Sequence, residues 1–158
     1  MSIIDKIWKE YQLGKANKID PALLIALKEY GTKETEGPDN NPEVLKYFHE
    51  AGFFEIDDES VSWCSAFVNW CQLKAGRGGT ASLAARSWLH WGEKVMYPQL
   101  GDIAVFWRVS PTSWQGHVGF YIKHNGTNVW VLGGNQSNQV NILPYAGNQL
   151  LGYRRAKD

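Results

Sequence analysis

Only two cysteines occur in the 158 residues, too few for the disulfide framework of a small secreted domain. Seven positions separate Cys64 from Cys71. On a single helix that places them about 10.5 Å apart along the axis, beyond the roughly 7 Å between Cα atoms that a disulfide tolerates. Both are therefore expected as free thiols unless they pair between chains. Net charge is also missing, because 16 basic and 16 acidic residues cancel. A polyphosphate partner ordinarily demands a basic face, so no nucleic-acid partner is expected. No apolar run approaches the roughly 20 residues that span a bilayer, which argues against membrane insertion. Charges interrupt the apolar positions of the first ten residues, Met1 to Glu10, so this stretch does not read as a secretory signal. Synthesis in the cytoplasm is the expectation, with any release or secretion by another route. There is no internal repeat and no low-complexity tract.

Aromatic residues are abundant: eight Trp, seven Tyr and six Phe. They suit both a ring-rich core and a groove lined for sugar or peptide. Helices dominate the first part of the chain. Asp20-Pro21 offers an N-cap followed by proline at the first helical position, and Gly31 ends the run. Asn41-Pro42 repeats the device, with Val44, Tyr47, Phe48 and Ala51 at helical spacing and Gly52 as the stop. Thr32 to Asn41, with Gly37 and Pro38, reads as a loop. A third helix carries Cys64 and ends before Gly76. Thr80 or Ser82 would cap a fourth through Trp88 and Trp91. Short strands follow at Ile103–Trp107, His117–Ile122, Val129–Leu132, Val140–Leu143 and Leu150–Arg154. Helices first and strands later predict an α+β fold, with N-terminal helices packed on a central antiparallel sheet. Residues 20–158 form a single domain in this reading, and residues 1–19 are an N-terminal extension or helix.

Chemistry concentrates at three places. Ser62 as N-cap would put Cys64 in the first turn of its helix, where unpaired N–H groups and the positive end of the dipole favour a thiolate. The same N–H groups suit a tetrahedral oxyanion. Cys71, flanked by Trp70 and Leu73, reads as a core residue. His117 projects from the face of its strand opposite to Val118, Phe120 and Ile122. A hairpin at Asn125-Gly126 brings the next strand back. A two-residue turn there sets His117 opposite Gly134, whereas an odd-length turn centred on Gly126 sets it opposite Asn135. Hydrophobicity allows both registers; the chemistry favours the second, in which Asn135 orients one imidazole nitrogen and leaves the other to the thiol. Cys64, Cys71 and His90 lack the paired short spacings of a zinc site, and Asp57, Asp58 and Glu59 match no calcium loop. That acidic cluster reads as a solvated bend, and no metal or cofactor is expected.

Five segments together resemble the CHAP and NlpC type of papain-like cell-wall hydrolases, over roughly residues 20–155. They are Glu36–Pro42, Trp63-Cys64-Ser65-Ala66-Phe67-Val68, Gly101-Asp102-Ile103-Ala104-Val105-Phe106, Gly116-His117-Val118-Gly119 and Gly133-Gly134-Asn135-Gln136. The resemblance implies a papain-like cysteine amidohydrolase or peptidase domain, similar to small phage or prophage members. Cys64 would be the nucleophile, His117 the base and Asn135 the orienting group, with Gln136 as a substitute. Many CHAP enzymes carry a glutamate where this chain has Gly133. Asp102 reads as structural, and Trp63, Ser65, Trp114 and Gln136 as substrate contacts. The implied substrate is an amide of the peptidoglycan stem peptide, cut by an amidase or endopeptidase that acts as a monomer. A toxin or tail-associated lysin would share this chemistry and bring an immunity protein or a holin as its partner. Transpeptidation uses the same residues. A non-enzymatic wall-binding module is the remaining reading, and it gives Cys64 and His117 no role.

Overall fold

A computed structural model describes residues 1–12, 19–36 and 39–157. Residues 13–18 of the N-terminal segment, Gly37 and Pro38 of the expected loop, and Asp158 lie outside the described residues. Helix α1 spans Ile3–Gln12 and lays Ile3, Ile4, Ile7 and Trp8 against the core. Helix α2, Pro21–Lys28, starts as its sequence predicts: the Asp20 carboxylate accepts from the N–H groups of Ala22 and Leu23. Asn41 does the same for α3, Pro42–His49, by accepting from Glu43. Gly31 and Gly52 follow these helices with φ of +94° and +97°, a backbone that glycine adopts without steric cost.

Helix α4, Cys64–Lys74, is buried along most of its length, from Cys64 to Gln72. Its N-cap is Trp63 with no side-chain cap, not Ser62 as expected. Asn69 and Ser65 on this helix pin the following segment. Asn69 Oδ1 accepts from the N–H groups of Thr80 and Ala81, and Ser65 donates to Ser82 O. The expected fourth α-helix is instead a 3₁₀ segment, Ala85–His90, uncapped by any side chain. Its Trp88 is fully buried and donates to Ser65.

Six strands follow: β1 Glu93–Val95, β2 Ile103–Trp107, β3 Gly116–His124, β4 Asn128–Gln136, β5 Gln139–Ala146 and β6 Leu150–Arg155. They form one antiparallel sheet in the order β1-β6-β2-β3-β4-β5. The fold is thus α+β, with helices on a central antiparallel sheet. Three-residue β1 carried no sequence signal, because Glu93 and Lys94 are exposed at the sheet edge. Side chains alternate as strand geometry requires. Ile103, Val105, Val118, Phe120 and Leu132 face the helices, whereas Ala104, Phe106, Tyr121, Val129 and Val131 form a second cluster on the other face. Asp102 opens β2 in a structural role: it pairs with Arg155 and accepts from the N–H of Gln99. Glu59 corrects the expectation of a solvated acidic bend. It is 5% exposed and accepts from the N–H groups of Thr35 and Asn41, tying the α2–α3 loop down.

The β3–β4 hairpin fits neither simple turn. A two-residue turn, Gly126-Thr127, pairs His124 with Val129 and Lys123 with Trp130. A bulge at Ile122 then shifts the ladder by one, so Tyr121 faces Val131 and Phe120 faces Leu132. Beyond the bulge the offset is the one expected to point His117 at position 135.

Helix α4 reaches the sheet closely because β4 has glycine where the helix begins. A Cβ at Gly134 would lie 2.7 Å from the Trp63 ring and 2.8 Å from Phe67 Cβ, and both neighbours are fully buried. Gly134→Ala is expected to destabilise the fold by about 1–3 kcal/mol through overpacking. Thermal or urea unfolding against the wild type checks this, and an unchanged midpoint would show that the helix can yield.

Candidate active site

Cys64 opens α4 and is 3% exposed. The sheet meets it there for a reason of register. Tyr121 donates its N–H to Asp102 O on the β2 side, so by strand alternation the even-numbered N–H groups of β3 point toward β4. The β3–β4 ladder stops at Phe120–Leu132, leaving the N–H of Val118 unclaimed by β4. It turns to the Cys64 sulfur instead. Val118 directly follows His117, so the thiol is held at the backbone of the residue next to the histidine. The Ser62 hydroxyl lies 4.0 Å from the sulfur.

Gln136, not Asn135, holds the histidine. The His117 Nε2 to Gln136 Oε1 separation is 2.8 Å, and both residues are buried. The cause is a bulge in β4. Uninterrupted alternation puts Asn135 on the His117 face and Gln136 on the helix face. Asn135 instead adopts φ +57°, and the β4–β5 register shifts between Gly133 and Gln136. Two residues of β4 then oppose one of β5, and the inserted residue moves Gln136 to the histidine face. Asn135 points its amide at the Ser62 hydroxyl, 3.4 Å away.

The surroundings of Gln136 fix the imidazole tautomer. Its amide NH2 donates within a set of three acceptors: Val131 O, Asn141 O and Asn141 Oδ1, at 2.9–3.1 Å. That orients Oε1 toward the ring, and a carbonyl oxygen only accepts. His117 must therefore carry its proton on Nε2, which leaves Nδ1 as the unprotonated ring nitrogen. Tyr145 stacks on the ring, with centroids 4.6 Å apart and an interplanar angle of 13°. Phe106 stacks behind Tyr145 at 5.1 Å.

Burial keeps both reactive groups neutral. It pushes the Cys64 thiol above its usual value, against the Val118 N–H, the Ser62 hydroxyl, the Ser65 N–H and Arg108. Burial also pulls His117 down to about 4; Gln136 opposes this and Arg108 adds to it. The helix start thus does not by itself yield a thiolate, because desolvation outweighs it. The N–H groups of Val118 and Ser65 that oppose the shift are the ones that would favour an anion at the sulfur.

A cleft of about 420 Å³ opens over His117, Gln136 and Tyr145, with Trp107, Arg108 and Asn135 in its walls. Two expected substrate contacts are not available to a ligand. Trp63 is fully buried, stacks on Tyr47 and donates to Glu34; Ser65 is fully buried against Trp88 and Ser82. Trp114 is 78% exposed on the β2–β3 loop, outside the cleft walls. Cys71 lies in the core, and both cysteines are free thiols. Tyr145 and Arg108 were missed. Tyr145 follows Pro144 on a strand with no motif around it, and Arg108 reads in sequence as the polar end of an apolar strand.

Residues 56–135 match the CHAP domain family. That is just over half of the sequence, and the chain belongs to this family. Its membership associates the chain with peptidoglycan hydrolase activity in general terms. A solved Staphylococcus aureus protein, described as similar to lipoprotein of the NLP/P60 family, is 16% identical with a TM-score of 0.47. The match covers 79% of this chain and 45% of that one, a degree of likeness that decides nothing about activity. No curated protein matches the chain.

A neutral thiol–imidazole pair has a kinetic signature. Alkylation of Cys64 by iodoacetamide should stay slow from about pH 5 to 8 and climb only in alkaline solution, because the thiolate reacts. Cys64→Ala supplies the blank. A fast plateau already present at about pH 5 would instead show a preformed thiolate–imidazolium pair.

Proposed function

We propose that this protein is a cysteine-dependent peptidoglycan hydrolase that cleaves an amide of the stem peptide. Cys64 is the nucleophile, His117 the general base and acid, and Gln136 the residue that orients it. The observation that carries this reading is the His117–Gln136 hydrogen bond beside a helix-start cysteine. It commits Nε2 and leaves Nδ1 to the thiol. In the first step the Cys64 proton passes to His117 Nδ1 as sulfur attacks the amide carbon. The tetrahedral oxyanion is held by backbone N–H groups at the start of α4. Collapse breaks the C–N bond, and His117 returns its proton to the leaving amine. Water, deprotonated by His117, then hydrolyses the thioester and restores the thiol. The substrate places the protein's action at the cell wall after release or secretion, as a lysin or a delivered toxin.

Cys64→Ala should reduce clearing of a purified cell-wall suspension by about 10³-fold or more with an unchanged melting curve. Retained lysis by that folded variant would remove Cys64 from the chemistry. The third residue is tested separately. Gln136→Leu should cost about a hundredfold in turnover by freeing the tautomer. Asn135→Gly suits the left-handed backbone and should stay within about fivefold of wild type. The reverse ranking would restore Asn135 as the orienting residue.

A further inference from the structure

Arg108 is the one charged side chain in the walls of the cleft over His117, among the described residues. No acidic residue lines that cleft, and the two reactive groups are neutral. Among the described residues, no side-chain hydrogen bond or ion pair occupies its guanidinium, in contrast to Arg77, Arg86, Arg154 and Arg155. Arg108 also lies near enough to influence both Cys64 and His117. Its backbone is held on both sides. The N–H donates to Gln115 O at 3.2 Å, and its carbonyl accepts from the Ser113 hydroxyl at 2.6 Å. Arg86 clamps the same loop by donating to Ser110 O, Pro111 O and Gln115 O at 2.7–2.9 Å. Val109 then takes φ +71°, a strained conformation for a β-branched residue that persists only where surroundings enforce it. The β2–β3 loop therefore presents an uncommitted cation, on a fixed backbone, at the edge of the reaction site.

We propose that Arg108 is a specificity residue that binds a free carboxylate of the substrate next to the scissile amide. This rests on the assignment of Cys64 and His117 as the reacting pair. A planar guanidinium matches a carboxylate in a forked, charge-assisted contact, and an uncharged carboxamide gives up the ionic part of it. A stem peptide can offer such a group at two positions, an internal carboxylate beside an isopeptide link and the chain-terminal carboxylate. The fixed backbone of Arg108 favours one of them.

The test is calorimetric binding to Cys64→Ala, which needs no turnover. Four synthetic stem-peptide fragments serve as probes: both carboxylates free, each amidated alone, and both amidated. Cys64→Ala should prefer one free acid over its amide by about tenfold. Adding Arg108→Gln should erase that preference and leave the doubly amidated fragment unaffected. Arg108→Lys should recover part of it. The preference should shrink with added salt, since an exposed contact is screened. Equal affinity of Cys64→Ala for all four fragments, or equal loss on acid and amide with Arg108→Gln, overturns the proposal. Lysis retained by Cys64→Ala overturns the nucleophile assignment instead, and the binding comparison reads Arg108 either way.

Discussion

The hydrogen bond from His117 Nε2 to Gln136 Oε1 is the constraint on which the site depends. It is buried, so an unpaired partner would cost far more than the bond contributes on a surface. The cost is avoided because Gln136 is itself saturated by Val131 and Asn141. Those acceptors belong to β4 and β5, so the tautomer of a histidine on β3 is set by the pairing of its two neighbouring strands. The imidazole has little freedom left, between the amide at its edge and the Tyr145 ring on its face.

Irregular backbone does most of the positioning. Asn135 in the left-handed region turns Gln136 to the correct face, and the bulge at Ile122 sets the β3–β4 offset. The end of the β3–β4 ladder releases the Val118 N–H for the sulfur. Each departure from ideal pairing would be a loss in a plain sheet. Here each re-aims a polar group, as bulges beside active sites commonly do. Glycine at 134 lets α4 settle close enough for Cys64 to meet those groups.

Packing also explains why the site is neutral at rest. A cysteine at a helix start is the usual setting for a lowered thiol pKa, yet Cys64 belongs to the buried cluster between α4 and the sheet. Desolvation dominates at such depth. A charged pair would have to be solvated by something, and the groups present are two N–H donors, the Ser62 hydroxyl and the positive charge of Arg108. In the proposed mechanism substrate binding and catalysis then share a requirement, since anionic character at sulfur develops only with the carbonyl in place.

How much the sequence determined follows from what kind of signal each feature carries. The caps at Asp20 and Asn41, the glycine stops, the strand Ile103–Trp107 and the order of Cys64 and His117 are local, and side-chain chemistry at fixed offsets specifies them. The α+β class follows from the change of periodicity along the chain. Trp63 and Ser65 sit beside the cysteine in sequence but inside the core in space, because burial is decided by which helix face meets the sheet. The choice of Gln136 over Asn135 was not legible. Both residues are adjacent amides, and a single left-handed residue, stabilised only by pairing with β5, decides which one faces the histidine. Arg108 enters the site from the β2–β3 loop and Tyr145 from β5, and only closure of the sheet brings them to it.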